Sequence, residues 1–209
     1  MNVVLYGASG MIGSRILKEL IARGHKVTAV ARDTAKIAQS ANVKVVRGDA
    51  LDADSVASVA KGADAVISGY GPGTEAPQKL MEQSTRALIA GSKKAGVRLL
   101  MVGGAGSLLV APGVDLIDSG HLPEEYRAIA IAHRDALKIL RESDLDWTSL
   151  SPAGFIQPGE RTGNFRLGTD SLVVDETGNS HISAEDFAVA LVDELETPKH
   201  IRRRFTLGY

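Results

Sequence analysis

The stretch Gly7-Ala8-Ser9-Gly10-Met11-Ile12-Gly13 decides the fold. Its glycines are spaced G-x-x-G-x-x-G, and it joins two segments of different period. Before it, residues 2–6 end in the apolar run Val3-Val4-Leu5-Tyr6, which suits a strand buried on both faces of a parallel sheet. After it, Ile12, Ile16, Leu17, Leu20 and Ile21 recur at helical spacing, Lys18, Glu19 and Arg23 fall off that stripe, and Gly24 supplies the stop. In such a strand, turn and helix unit each glycine has a task. Gly7 makes the tight turn, Gly10 lets an anionic group approach the backbone, and Gly13 lets the helix pack closely on the sheet. Ser9 sits in the same turn, and amides near Met11 and Ile12 then face an anion at the positive end of the helix.

Outward from this unit the alternation continues. A second strand is predicted over 26–31, a polar loop or short helix from Arg32, and a third strand over 43–46. A helix capped by Asp52 runs to Ala60, and a fourth strand over 63–68 runs into Gly69-Tyr70-Gly71-Pro72-Gly73. A long helix over 77–95 precedes a fifth strand over 98–102, which opens into Gly103-Gly104-Ala105-Gly106-Ser107. Pro123 and Glu124 start a helix through Leu140, and a sixth strand over 147–150 precedes Ser151-Pro152-Ala153. Beyond that point the rhythm weakens. Short strands are expected over 165–167 and 172–174, a helix from Ser183, and a last strand over 203–207.

Repeated crossovers with short loops imply an α/β, Rossmann-like, doubly wound and mostly parallel sheet. We expect one domain over 1–209, with a small C-terminal substrate-side region mainly within 152–209. Ligands collect at the carboxyl ends of such strands, where the glycine clusters after strands one, four and five all fall. With strand, helix and second strand in register around the glycines, the turn is read as a dinucleotide cradle. Arg32 lies 19 residues beyond Gly13, where the adenosine ribose is recognised. An Arg there pairs with a 2′-phosphate, so NADP(H) is preferred, while the neighbouring Asp33 keeps NAD(H) possible.

Composition narrows the partners. Lys and Arg number 24 against 25 Asp and Glu, which lacks the basic footprint of nucleic-acid binding. There is no cysteine, hence no thiolate nucleophile, disulfide or Cys-ligated metal. No apolar stretch approaches the roughly 20 residues of a membrane span, and the start of the chain lacks a signal-peptide pattern, so the protein is expected to be cytoplasmic. His25, His121, His133, His181 and His200 are scattered without metal-ligand spacing, so no metal is expected. His133, on the helix before the sixth strand, is read first as an ordinary surface or capping histidine, with an approach to the substrate mouth as the alternative, and Arg202-Arg203-Arg204 as a solvated strand edge.

The ordered set of motifs resembles the atypical short-chain dehydrogenases with an NmrA-like NAD(P)H-binding fold. Proteins named as NADH-flavin reductases and the biliverdin reductase B type of flavin reductase belong to that group. The resemblance rests on residues 3–13, Arg47-Gly48-Asp49-Ala50-Leu51, Val102-Gly103-Gly104-Ala105-Gly106-Ser107-Leu108, residues 140–143 with Asp146-Trp147-Thr148, Ser151-Pro152-Ala153 and residues 182–188. It implies that Asp49 and Ala50 neighbour the adenine, and that Ser68, Gly69, Tyr70 and Gly71 flank the nicotinamide-side ribose. Gly103 and Gly104 are implied as floor, and Pro152, Ala153 and Phe155 as the border of the nicotinamide pocket. Ser107 aligns with a serine near the nicotinamide in flavin-reductase relatives and is the candidate catalytic residue. Those relatives also carry a histidine after the sixth strand, where this chain has Pro152-Ala153-Gly154-Phe155.

The usual Tyr and Lys pair of short-chain dehydrogenases is absent, since Tyr6, Tyr70 and Tyr126 are followed four residues later by Gly10, Thr74 and Ala130. Hydride transfer to an electron-poor ring demands less of the protein, because the cofactor carries the hard chemistry. The expected function is therefore an NAD(P)H-dependent reductase of a small-molecule acceptor, a free flavin or quinone-like ring, acting as monomer or homodimer. The alternative is a non-catalytic NAD(P)-binding redox sensor, and a third reading is an NAD-dependent epimerase or dehydratase.

Overall fold

In the computed structural model, which describes residues 1–37 and 40–209, an eight-stranded sheet is covered on both faces by helices. In chain order the first half comprises β1 (Asn2–Tyr6), α1 (Met11–Ala22), β2 (Lys26–Ala31), β3 (Val43–Arg47), α2 (Ala53–Ala60), β4 (Ala65–Ser68), α3 (Pro77–Ala95) and β5 (Arg98–Val102). The second half comprises β6 (Leu109–Ala111), β7 (Val114–Asp115), α4 (Glu124–Glu142), β8 (Trp147–Ser151), β9 (Phe155–Gln157), β10 (Arg166–Gly168), β11 (His181–Ser183), α5 (Ala184–Glu196) and β12 (Arg203–Gly208). The sheet order is β10-β12-β8-β5-β4-β1-β2-β3, and every pairing in it is parallel except β10 with β12.

The strand residues explain this arrangement. Val3, Val4, Leu5, Ala65, Val66, Ile67, Leu99 and Leu100 are all buried, so the central strands need cover on both faces. Helices α1 and α5 pack together on one face, over Leu5, Ile67, Leu100 and Phe205. Helices α2, α3 and α4 pack side by side on the other, over Val4, Val66, Leu99 and Trp147. Asp52 caps α2 through its carboxylate, which accepts from the amides of Asp54 and Ser55, and Ser183 caps α5 by accepting from the Asp186 amide at 3.0 Å.

The polar segment from Arg32 forms one 3-10 turn, Thr34–Lys36, in keeping with the loop or short helix expected, while residues 38 and 39 lie outside the described residues. Other expectations change. Residues 172–174 form no named strand; the chain there is held by single contacts such as the Leu172 amide on the Leu109 carbonyl at 2.9 Å. The arginine run is solvated at Arg202 and Arg203 but not at Arg204. Strand β12 is inserted between β8 and β10, and Arg204 is buried, its Nε donating to Asp170 at 2.8 Å. Among the described residues no helix is long and apolar enough to cross a membrane.

Candidate functional site

A cavity of about 770 Å³ opens along the carboxyl ends of the central strands. Its size is that of a small-molecule or cofactor site. It has three parts, each built by a strand end and the turn that follows it.

The middle part is the glycine turn between β1 and α1. Gly7 has φ +76°, and a methyl group there would lie 2.3 Å from the Gly69 carbonyl oxygen. A methyl group on Gly13 would lie 2.0 Å from the Gly7 carbonyl oxygen, so this glycine fixes how closely the helix meets the turn. Gly10 differs. A methyl group there would meet only the Gly7 carbonyl oxygen, at 3.3 Å, and its remaining side faces open cavity. No side chain caps α1 at Gly10, and its first turn holds no carboxylate. The first-turn amides are thus left for an acceptor from outside, at the positive end of the helix. A diphosphate fits this cradle in charge and in the space that the missing side chains leave.

Arg32, Gly48, Asp49, Ala50 and Tyr70 form the part beyond β2 and β3. Arg32 is exposed at the mouth. Asp49 accepts from the Leu51 amide at 3.0 Å while its own amide donates to Ser55 Oγ at 3.2 Å, so it is both a turn residue and a wall of the cavity. Desolvation pushes the Tyr70 phenol above its ordinary pKa, with Arg32 pulling the other way.

The third part lies over β4, β5 and β8. Its floor is Gly69, Gly71, Gly103, Gly104 and Gly106, and its border is Pro152, Ala153, Gly154, Phe155 and Ile156. Its far wall is Leu116, Leu122, Pro123, Tyr126, Ile129, Ala130 and His133, contributed by α4 and the segment before it. Two of the floor glycines, Gly104 and Gly106, lie where α4 leans onto the floor. A methyl group on Gly104 would lie 2.7 Å from His133 Cβ, and one on Gly106 would lie 2.8 Å from Ala130 Cβ.

Of the residues singled out from sequence, Gly7, Ser9, Gly10, Met11, Ile12, Arg32, Asp49, Ala50, Gly69, Tyr70, Gly71, Gly103, Gly104, Pro152, Ala153 and Phe155 meet in this one cavity. Three do not line it. Gly13 packs behind the turn. Ser68 is buried, its Oγ accepting from the Tyr70 amide at 3.3 Å, so it sets the floor from beneath. Ser107 turns toward β12, where Arg204 Nη1 donates to its Oγ at 3.4 Å, and the geometry gives it an anchoring place rather than one facing the cavity. Besides residues 152–156, residues between 103 and 133 line this part of the cavity, as its floor and far wall.

His133 corrects the sequence reading in the other direction. It lines the cavity instead of lying at the surface, and among the described residues neither ring nitrogen has a protein partner. Burial pushes its imidazole down to about 4, so the ring is neutral at neutral pH. The signal that points to it is indirect: Gly104 removes a side chain from the surface on which α4 rests.

Relatives share this architecture over their full length. The Bacillus subtilis protein YwnB is 42% identical over 99% of this chain and 98% of its own. A Bacteroides thetaiotaomicron structure provisionally named an epimerase is 48% identical, covering 100% of this chain and 96% of that one with a TM-score of 0.94. A Streptococcus pneumoniae structure provisionally named an NADH-flavin reductase is 35% identical, covering 100% and 99%, with a TM-score of 0.88. A profile of NAD(P)H-binding proteins matches residues 7–198, from the first glycine of the cradle to just past α5. By the cradle and by that match together, the chain belongs to the NAD(P)H-binding family.

Proposed function

We propose that this protein is an NAD(P)H-dependent reductase that delivers hydride to a free flavin or quinone-like ring, with NADPH preferred over NADH. The observation that carries the reading is the chemical division of a single cavity. One end presents helix amides, Arg32 and Asp49, while the other presents apolar side chains around a single imidazole.

The residues divide the work accordingly. The amides of the cradle hold a diphosphate, and Arg32 stands where a 2′-phosphate receives a charge-assisted hydrogen bond. When bound, the nicotinamide supplies a hydride to the acceptor. Leu116, Leu122, Ile129 and Ile156 exclude water from that end, which strengthens each polar contact made inside it. His133, neutral, offers a ring N–H to the acceptor atom on which charge builds as the hydride arrives. Ser107, next to the floor residue Gly106, has its side chain held by Arg204 and takes no part in this reading of the reaction.

A sensor reading draws on the same placement of Ser107, which leaves few polar groups near the acceptor. An epimerase reading requires a tyrosine and lysine pair, and Tyr126 shares its helix face with Ala130 instead. One experiment separates these. Pure protein is mixed anaerobically with NADPH or NADH and then with FMN, riboflavin and a small quinone, while nucleotide absorbance is followed. Oxidation that is faster with NADPH supports the proposal; tight nucleotide binding without turnover of any acceptor refutes it in favour of the sensor.

A further inference from the structure

The acceptor end of the cavity has a charge pattern that narrows the acceptor beyond the reading just given, on which this inference rests. Among the described residues the charged members of the whole lining are Arg32 and Asp49, and both lie at the opposite end, beyond β2 and β3. The acceptor end is walled by Leu116, Leu122, Tyr126, Ile129, Phe155 and Ile156, with neutral His133 as its imidazole.

Among the described residues no lysine or arginine lines this end. Glu124 and Glu125 are exposed in the first turn of α4, directly after the wall residue Pro123, and they offset the half-positive charge of that helix end. Arg127 is occupied: its Nη1 donates to the Ile117 carbonyl at 2.9 Å and its Nη2 lies 4.0 Å from Asp118. A phosphorylated acceptor entering here would leave its dianion without a partner, near two carboxylates. A neutral ring loses nothing on entry and gains the aromatic faces of Tyr126 and Phe155.

We infer that the acceptor is an uncharged aromatic ring compound, a dephosphorylated isoalloxazine or a neutral quinone, and that the site discriminates against the same ring bearing a phosphate. Riboflavin and FMN share one ring and differ by that phosphate, so they are the probes. At low salt, kcat/KM is expected to favour riboflavin by about three- to fivefold, the size that two carboxylates impose on a dianion across roughly 10 Å of water. Raising the salt to about 0.5 M brings the ratio toward one, because screening removes the repulsion. The double variant Glu124→Gln, Glu125→Gln lowers it at low salt as well.

Binding is read separately from turnover, by quenching of flavin fluorescence with NADP⁺ present. If riboflavin binds more tightly than FMN yet neither is reduced, the reductase reading fails and the assignment of the compartment stands. FMN bound or reduced as well as riboflavin overturns the assignment, and so does binding of neither flavin nor a neutral quinone.

Discussion

Replacing Gly10 by Ala separates binding from folding at the cradle. The backbone of Gly10 is extended, with φ −77° and ψ 170°, so alanine adopts it without strain. The added methyl meets only the Gly7 carbonyl oxygen, at 3.3 Å, which a shift of a few tenths of an ångström relieves. Alanine is the poorer helix cap by about 1 kcal/mol, but it also restricts the unfolded chain, which returns about 0.4–1 kcal/mol. For a chain of this length 1 kcal/mol moves Tm by about 2–4 °C, so the free protein should melt within about 2 °C of the parent.

Coenzyme binding should respond very differently. The methyl stands between the first-turn amides and the diphosphate, and loss of one charge-assisted hydrogen bond, about 1.5–3 kcal/mol, weakens Kd by roughly 10- to 100-fold. At a coenzyme concentration of 100 times the parent's Kd the parent gains about 2.7 kcal/mol, or about 5–11 °C. A variant bound roughly 30-fold more weakly gains about 0.9 kcal/mol at that concentration, or about 2–4 °C. Titration of nicotinamide fluorescence and thermal melts with and without NADPH measure both quantities. Gly13→Ala is the contrasting case, because its methyl would lie 2.0 Å from a backbone oxygen and must displace the helix in the free protein. If Gly10→Ala melted like the parent and bound NADPH within about threefold of it, the diphosphate would not lie at Gly10.

Three further outcomes are expected. Arg32→Asp should reduce the ratio of NADPH to NADH affinity by about 10- to 100-fold, the cost of losing a charge-assisted contact and gaining a repulsion; an unchanged ratio in competition titrations would remove Arg32 from coenzyme choice. Single-turnover hydride transfer should be about tenfold or more slower in His133→Leu, which loses the donor facing the acceptor, and within about twofold of the parent in Ser107→Ala; the reverse ranking would return the catalytic role to Ser107. Stability should also carry the mark of His133. Its folded pKa of about 4 lies below the unfolded value near 6.5, so on acidification the unfolded chain takes up the proton first. Stability is whole above about pH 6.5 and falls toward pH 4 by on the order of 3 kcal/mol. Urea midpoints at several pH values should show this slope in the parent and a flatter one in His133→Gln, while Glu19, held at about 2 chiefly by hydrogen bonds from Arg161, acts only below the usual carboxylate range.

The cradle was legible because its constraints are local. Gly7, Gly10 and Gly13 act within one turn, and the change from strand to helical period at that turn is visible in the chain itself. Elements whose boundaries are set by nearby caps or breakers agree closely with the structure, among them the helix from the Asp52 cap to Ala60 and the helix Pro77–Ala95 closed by Gly96. What was not legible depends on partners distant in sequence. Strand β11 exists by pairing with β9, His181 opposite Phe155, and Arg204 is buried because Asp170 lies ready to meet it. Likewise nothing in the local pattern around His133 distinguishes a surface helix position from one held over Gly104. Ser107 shows the converse, a residue at the right strand end whose side chain is claimed by β12.

The two ends of the cavity come from separate stretches of chain. On the proposed reading the diphosphate and adenosine meet residues before 72, whereas the side chains of the acceptor wall, over a floor that Gly69 and Gly71 share, lie between 102 and 156. Substitutions at Leu116, Leu122 or Tyr126 are therefore expected to reshape the acceptor end without touching the cradle. On that reading the acceptor could change by exchange of a handful of loop and helix positions while the coenzyme grip is kept.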